Sequence, residues 1–360
     1  MATFDVLLPV KNGLPYLRES IESIQQQTFS DWRLFILDHA STDGSLELAD
    51  RYAERDPRIV VKSCSPDLTF SQLLNLGLAF CDARYVLRQD ADDISLPYRM
   101  ATLAHAFCEM RDITLLGSQG FVIDAYGKKT GRFDMPLSPE RIAAISFFRI
   151  PVLHPSAALR FSDIARFGIQ YGEDFTGAMP DADRLSVPAL AEDYFLFGQL
   201  ALSKKCRNLE QRLLAFRWHQ NNISIAKEVD QTTIAIGISR YLAKTFARIH
   251  NTEEFDPAPF CNHGHKLVDM KEQTDFRDHY SRMKTSLIAG LSDSPELRRE
   301  LAFRNCLNER ATPPILRRYG VHAFQAGVDR SEWYTVKSWL LSAEMPRYFA
   351  VPTRPLVEID

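Results

Sequence analysis

The chain has 360 residues, of which 45% are hydrophobic and 25% charged, so it carries enough apolar material for a packed core, and global disorder is excluded. Its 43 Lys and Arg against 46 Asp and Glu leave a net charge of -3, which argues against a nucleic-acid protein working through a basic surface. A small cationic pocket stays open, and the length suggests two domains or one large domain with an appendage.

Over the first ~120 residues strand-like and helix-like patterns alternate, the signature of βαβ units and a parallel sheet. Phe4 to Val10 is a short apolar run and reads as a buried strand. Leu14, Leu17, Ile21 and Ile24 recur at three- and four-residue spacing, so a helix follows. Leu34 to Leu37 is a second strand ending at Asp38, with the turn-rich Ser41-Thr42-Asp43-Gly44-Ser45 and a helix to about Arg55 behind it. Ile59 to Val61 is a third strand, and Phe70, Leu73, Leu74 and Gly77 lie on one face of a third helix. Tyr85 to Leu87 is a fourth, stopping at Gln89-Asp90-Ala91-Asp92-Asp93. Ser95 is expected to cap the next helix, with Pro97 in its first turn. Strand pieces recur at Leu115 to Gly117 and Phe121 to Ile123. Residues 172–189 read as a long loop, a length that is usually functional or mobile. Ala191 to Leu202 reads as a helix opened by two acids. From about Ile225 the pattern is helical and charge-laced, for example Ile234 to Ile249 and Glu296 to Asn308. The expected domains are therefore 1–224 and a helical 225–360.

Cys64, Cys81, Cys108, Cys206, Cys261 and Cys306 form no C-x-x-C pair, so neither a zinc ribbon nor a thioredoxin-type site is indicated. The opening Met1-Ala2-Thr3-Phe4-Asp5 lacks a basic n-region, and no stretch reaches the ~20 apolar residues needed to cross a bilayer. The expectation is a cytoplasmic protein with reduced thiols, peripheral membrane contact remaining open.

Chemistry-bearing residues gather where strands end, the edge at which open α/β sheets bind ligands. Three carboxylates within Asp90-Ala91-Asp92-Asp93 repel one another unless a cation sits among them. Mg²⁺ or Mn²⁺, held by one or two carboxylates and substrate phosphates, is a natural solution. A helix N-terminus, where the dipole favours Asp, is the competing explanation. Asp38 could accept hydrogen bonds from a base or ribose, or close an Asx-turn. His39 beside it could contact the base or fill the turn. Arg88 could meet a phosphate or pair with Asp90. Glu192-Asp193 opens a helix, where acids are stabilised anyway; a carboxylate near a sugar hydroxyl can also act as its general base. His219 could complete a metal site or be a packed residue, and His154-Pro155-Ser156 puts a polar tip in an apolar stretch.

The residues together resemble the family-two glycosyltransferases, inverting enzymes with a GT-A fold, and in particular bacterial members that build surface polysaccharides. Leu8-Pro9-Val10-Lys11-Asn12-Gly13 resembles that family's first strand and loop, and Ser20 to Phe29 its first helix. Leu37-Asp38-His39-Ala40-Ser41-Thr42-Asp43-Gly44 resembles its D-D-G-S-T-D-G. Leu74 to Gly77, Arg88 to Pro97, His154 to Ser156, Ala191 to Tyr194 and Phe216 to Ser224 follow in order. The implied fold is α/β, a Rossmann-like, mostly parallel central sheet flanked by helices, with a helical C-terminal region. The resemblance implies that Pro9 and Val10 contact the nucleotide through backbone and that Asp38 faces the base or ribose. Asp90 would sit by the ribose or donor sugar, and Arg88 and His39 would belong to the same donor site. Asp92, last acid of the D-x-D triplet, would hold Mn²⁺ or Mg²⁺ on the diphosphate, with His219 a further metal or phosphate contact. Asp193 would be the base that deprotonates the acceptor hydroxyl.

His39 departs from the family, which usually has a second acid there that in some members reads uracil. A UDP-sugar is the first candidate donor, with His39 meeting a pyrimidine carbonyl, and another nucleotide is the alternative. The acceptor would be a saccharide or lipid-linked saccharide. A dehydrogenase is disfavoured because no G-x-G-x-x-G follows the first strand. A nucleotidyltransferase is disfavoured by the lack of a glycine-rich basic loop there. A catalytically inactive sugar- or partner-binding module is the reading from another class, and Asp92 and Asp193 argue against it. In the C-terminal region Arg317-Arg318-Tyr319 and Trp333 to Leu341 mix basic and aromatic residues. That mixture suits a membrane interface or a lipid-linked acceptor. It suits packing onto the main domain, or a homodimer contact, better.

Overall fold

The computed structural model describes residues 2–220, 222, 227–262, 264, 275–309 and 312–344. The boundary expected at 224/225, and Asn221, Ile223 and Ser224 of the last motif, lie outside the described residues.

β1 (Phe4–Val10) is buried along its whole length, as expected for a strand covered on both faces. Its one acid, Asp5, is fully buried and satisfied: Arg33 donates to it through Nε and Nη2, each at 2.8 Å, and the Asp82 and Ala83 amides at 2.9 Å. α1 (Leu14–Gln25), β2 (Trp32–Asp38), α2 (Ser45–Ala53), β3 (Ile59–Ser63), α3 (Phe70–Ala79) and β4 (Tyr85–Arg88) follow as the periodicity predicts. β1 pairs in parallel with β2 and β4, and β2 with β3. α3 lies close on the sheet at Gly77, where an added Cβ would stand 2.6 Å from Leu37.

The next segment departs from expectation. Ser95 does not cap a helix; it belongs to a two-residue strand, β5 (Ile94–Ser95), and its hydroxyl donates inward to Gln89 at 2.7 Å. α4 (Arg99–Glu109) starts later, without a side-chain cap. The two strand pieces expected near 115 and 121 are one strand, β6 (Leu115–Ile123), paired with β7 (Lys129–Phe133). α5 (Pro139–Ile145), β8 (Ala158–Arg160) and α6 (Phe161–Phe167) precede the long loop, and α7 (Glu192–Leu202) follows it. β9 (Cys206–Arg217) was not foreseen; it pairs in parallel with β6 and antiparallel with β5. The sheet runs β3-β2-β1-β4-β8-β6-β9-β5, with β7 on β6.

α8 (Glu228–His250), α9 (Arg277–Leu291), α10 (Pro295–Asn305), α11 (Thr312–Ala326) and α12 (Arg330–Glu344) complete the chain. One core joins them to α5 and α7: Phe147, Phe195, Leu242, Phe246, Leu287 and Trp339 are buried together. α7 is apolar around its circumference because it lies between this core and the sheet. Trp339 and Tyr319 of the basic-aromatic segments are buried here, and the Trp339 indole donates to the Asn262 carbonyl at 3.1 Å. These two rings serve packing, whereas Trp333 of the same segments is exposed. All six cysteines are free thiols, and only Cys108 is exposed.

Candidate active site

Pro9 and Val10 close β1, and Asp38 closes β2 in register with Val10. Asp38 is 1% exposed; its Oδ2 accepts from the Ser41 amide at 3.2 Å, while its buried Oδ1 has no hydrogen-bond partner among the described residues. The Asx-turn and the ligand-facing readings thus each account for one oxygen. His39 donates its amide to the Val10 carbonyl at 2.8 Å, and its buried Nε2 has no partner. Arg88 ends β4 and is 4% exposed; its Nη2 lies 2.7 Å from Asp90 Oδ1, at angles short of a hydrogen bond, and its Nε and Nη1 are buried without partners.

The acidic turn after β4 is held by a polar frame. Gln89, fully buried, donates to the Asp90 and Asp93 carbonyls and to Ser20, and accepts from Ser95 and Arg99. Arg99 also caps the Arg88 and Pro155 carbonyls at 2.9 and 2.6 Å. Burial pulls its guanidinium down to about 9. Arg217, at the end of β9, is also fully buried. Its amide donates to Asp93 at 2.8 Å, its Nε to the Asp92 carbonyl at 2.9 Å and its Nη2 to Glu19 at 2.6 Å, and it lies over the Tyr16 ring. Asp93 is thereby a structural acid. Burial first, then Asp92 and Asp90, push its carboxyl well above the usual range. Asp92 is left facing outward with His219, whose Nε2 is 2.9 Å from Asp92 Oδ2. Asn222 Nδ2 reaches the same oxygen at 3.4 Å, and the His219 ring packs on Tyr16 at 4.8 Å. A carboxylate oxygen and an imidazole nitrogen side by side are a donor set that would suit a divalent ion once the proton they share is lost.

Glu192 and Asp193 open α7 beside His154. Asp193 Oδ2 is 3.3 Å from His154 Nδ1, and Oδ1 accepts from the Tyr194 amide at 2.7 Å. One ligand atom from each of His154, Glu192 and Asp193 fits within 4.8 Å of the others, so this set too has the donors to take a cation. No arginine or lysine pairs with either acid at ion-pair distance among the described residues. Burial, then the Glu192 charge, raises the Asp193 carboxyl to about 8. Burial also lowers His154 to about 4, so the imidazole is neutral at pH 7, and its Nε2 is buried without a partner. The charges of Asp90 and Arg88 act on both Asp193 and His154, which sets the β4 turn and the start of α7 within electrostatic reach of each other.

Backbone strain marks the same places. Seven described non-glycine residues have positive φ; Asn12 and Ala40 follow β1 and β2, and Leu190 and Ala191 (φ 135°) lead into Glu192. Such conformations cost of order 1–3 kcal/mol each and persist where the surroundings impose them, often at functional sites. Sequence reasoning missed Gln89, Arg99 and Glu19, whose roles depend on contacts far away in the chain.

The family model described as glycosyl transferase family 2 matches residues 5–167. The putative glycosyltransferase EpsE of Bacillus subtilis is 33% identical over 136 residues, 38% of this chain and 49% of that protein, so the match spans about half of its length. An uncharacterized glycosyltransferase of Haemophilus influenzae is 26% identical over 246 residues, 65% of this chain and 71% of that one. Among solved structures, S. aureus TarS 1-349 in complex with UDP superposes with a TM-score of 0.51 at 14% identity, covering 99% of this chain and 96% of that one. That likeness shows a shared fold, the GT-A arrangement expected from the sequence. Over residues 5–167 the chain is thus similar to glycosyl transferase family 2.

Proposed function

We propose that the protein is an inverting glycosyltransferase that moves a sugar from a nucleotide donor, a UDP-sugar foremost, to a hydroxyl of a saccharide or lipid-linked saccharide in bacterial surface polysaccharide synthesis. The observation that carries this reading is a set of buried polar atoms without partners at the strand ends: Asp38 Oδ1, His39 Nε2, and Arg88 Nε and Nη1. Buried polar atoms are nearly always paired, so such a set calls for a polar ligand. Relatives named for O-antigen and amylovoran biosynthesis support the polysaccharide context.

In this reading Pro9 and Val10 border the nucleotide with their backbone, Asp38 and His39 meet base or ribose, and Arg88 and Asp90 meet the ribose and donor sugar. Asp92 and His219 would hold Mn²⁺ or Mg²⁺, which when bound neutralises the departing diphosphate. Asp193 takes the proton of the acceptor hydroxyl. The hydroxyl oxygen bonds to the anomeric carbon as that carbon's bond to the diphosphate oxygen breaks, from the opposite face, which inverts the configuration. A carboxyl raised to about 8 is a stronger base than an ordinary aspartate, and it is free of its proton on the alkaline side. Neutral His154 lies beside the carboxyl, 3.3 Å from its Oδ2.

Residues 1–224 act as the transferase domain and 225–360 as a helical companion. No helix among the described residues is long and apolar enough to cross a membrane. The reading puts the protein in the cytoplasm at the inner face of the plasma membrane. Membrane or homodimer contact through the C-terminal region would rest on exposed Phe324 and Val328. The test is nucleoside diphosphate release across a panel of nucleotide sugars, with and without Mn²⁺. Metal-dependent release from one donor is expected; no release from any donor would favour the inactive binding module.

A further inference from the structure

A cleft of about 770 Å³ opens between residues 134–149 and the C-terminal helices α10 and α12. None of the residues assigned above to donor or base borders it. Its lining carries Arg141, Arg149, Arg299 and Arg330, and also Asp134, Glu296 and Asp329. Arg141 and Arg149 also border a second hollow of about 10 Å³, room for about one water, against Glu300, Arg304 and Glu332.

The arginines here are not all partnered. Glu300 is shared by Arg141 at 3.0 Å and Arg304 at 2.7 Å. Glu332 is shared by Arg141 at 3.1 Å, Arg299 at 3.3 Å and His322 at 2.9 Å. Asp329 is turned to the hydroxyl and amide of Ser331, at 2.8 Å each. Arg141, Arg299 and Arg304 thus all find carboxylate partners in Glu300 and Glu332. Arg149 differs: its guanidinium makes no hydrogen bond or ion pair among the described residues. Burial lowers its hold on the proton, and Glu300 and Asp329 offset this only in part. Arg141 Nη1 is buried and likewise without a partner. A half-buried guanidinium without a partner gains nothing from its neighbours to offset the water it has lost. Its retention beside an open cleft is accounted for by an anion that enters the cleft.

We propose that this cleft binds a phosphoryl-bearing ligand, its oxygens taken by Arg149 and the free Nη1 of Arg141. Guanidinium forks match phosphate oxygens, and a tetrahedral group can serve two arginines at once. The volume exceeds what inorganic phosphate fills, so the group is one end of a larger molecule, soluble or a lipid headgroup. The site shares no residue with the donor pocket, and the proposal stands or falls apart from glycosyl transfer.

The test is calorimetric titration of the full chain with sodium pyrophosphate in EDTA, which silences metal-dependent binding at Asp92. Saturable binding is expected, at least tenfold weaker in Arg149→Met, weakened less in Arg149→Lys, and unchanged in Asp92→Asn. Ligand-free Arg149→Met should melt no lower than wild type, because the guanidinium gives up no hydrogen bond or ion pair. In parallel, co-sedimentation with phosphatidic acid vesicles, against phosphatidylcholine alone, separates the sources. Arg149-dependent pelleting assigns a headgroup, and pyrophosphate binding without pelleting assigns a soluble ligand. Absence of binding in both arms, affinity equal in Arg149→Met and wild type, loss in Asp92→Asn, or a lower melting point of Arg149→Met would each overturn the assignment.

Discussion

The molecule builds two acidic clusters and surrounds them differently: after β4 burial raises one acid, Asp93, and at the start of α7 it raises both. After β4, Asp90 has Arg88, Asp92 has His219 and Asn222, and Asp93 has the Arg217 amide. At the start of α7, Glu192 and Asp193 have backbone amides and one neutral histidine, with burial pushing both carboxyls up. The first environment keeps a carboxylate available for a cation. The second makes a carboxyl hungry for a proton. Electrostatic stabilisation and proton abstraction need those two different states, and environment rather than residue type sets them apart.

The largest effect that separates the clusters is expected from Asp193→Ala. Turnover should fall about 10³-fold while donor affinity stays within twofold, read by steady-state kinetics and nucleotide titration. Near-normal turnover would remove the base from the account. Next comes Arg217→Met, which strands the Asp92, Asp124 and Ala125 carbonyls and Glu19. Denaturant unfolding should show a loss of about 3 kcal/mol, and a change below 1 kcal/mol would mean that the frame around the β4 turn is dispensable. Asp92→Ala should weaken Mn²⁺-dependent nucleotide binding about 100-fold and leave metal-free binding as it was. Equal affinity with and without Mn²⁺ in wild type would break the comparison at its first half.

The smallest effect concerns stability. Asp193 keeps its proton in the folded chain up to about pH 8, whereas a free aspartate loses it near 4. The folded state holds more protons across that window, so stability falls as pH rises through it. Asp193→Asn is spared this. Its melting point relative to wild type should climb from pH 5 to pH 8, by a few degrees at most. In wild type, kcat/KM should rise with pH and level off above about 8.

Much of this was legible in the chain. The strands to Tyr85–Arg88 announced themselves because buried parallel strands are continuous apolar runs, and Asp38, Asp92 and Asp193 stood at their ends or at a helix start. β9 did not, because Cys206–Arg217 interleaves Arg, Asn, Glu and Gln with its apolar residues and is neither a clean run nor a clean alternation. The Ser95 cap failed because Ser95 pairs with Leu214 of β9, far along the chain, and its hydroxyl is taken by Gln89 and Arg99. The His154–Asp193 pair joins residues 39 positions apart, a distance that no local pattern encodes.

The most direct measurement is a crystal structure with Mn²⁺ and an intact donor analogue. The account predicts diphosphate against Asp92 and His219, with the anomeric carbon between it and the Asp193 carboxylate. A donor bound with Asp193 turned away from that carbon, or with its diphosphate nowhere near Asp92, would contradict it.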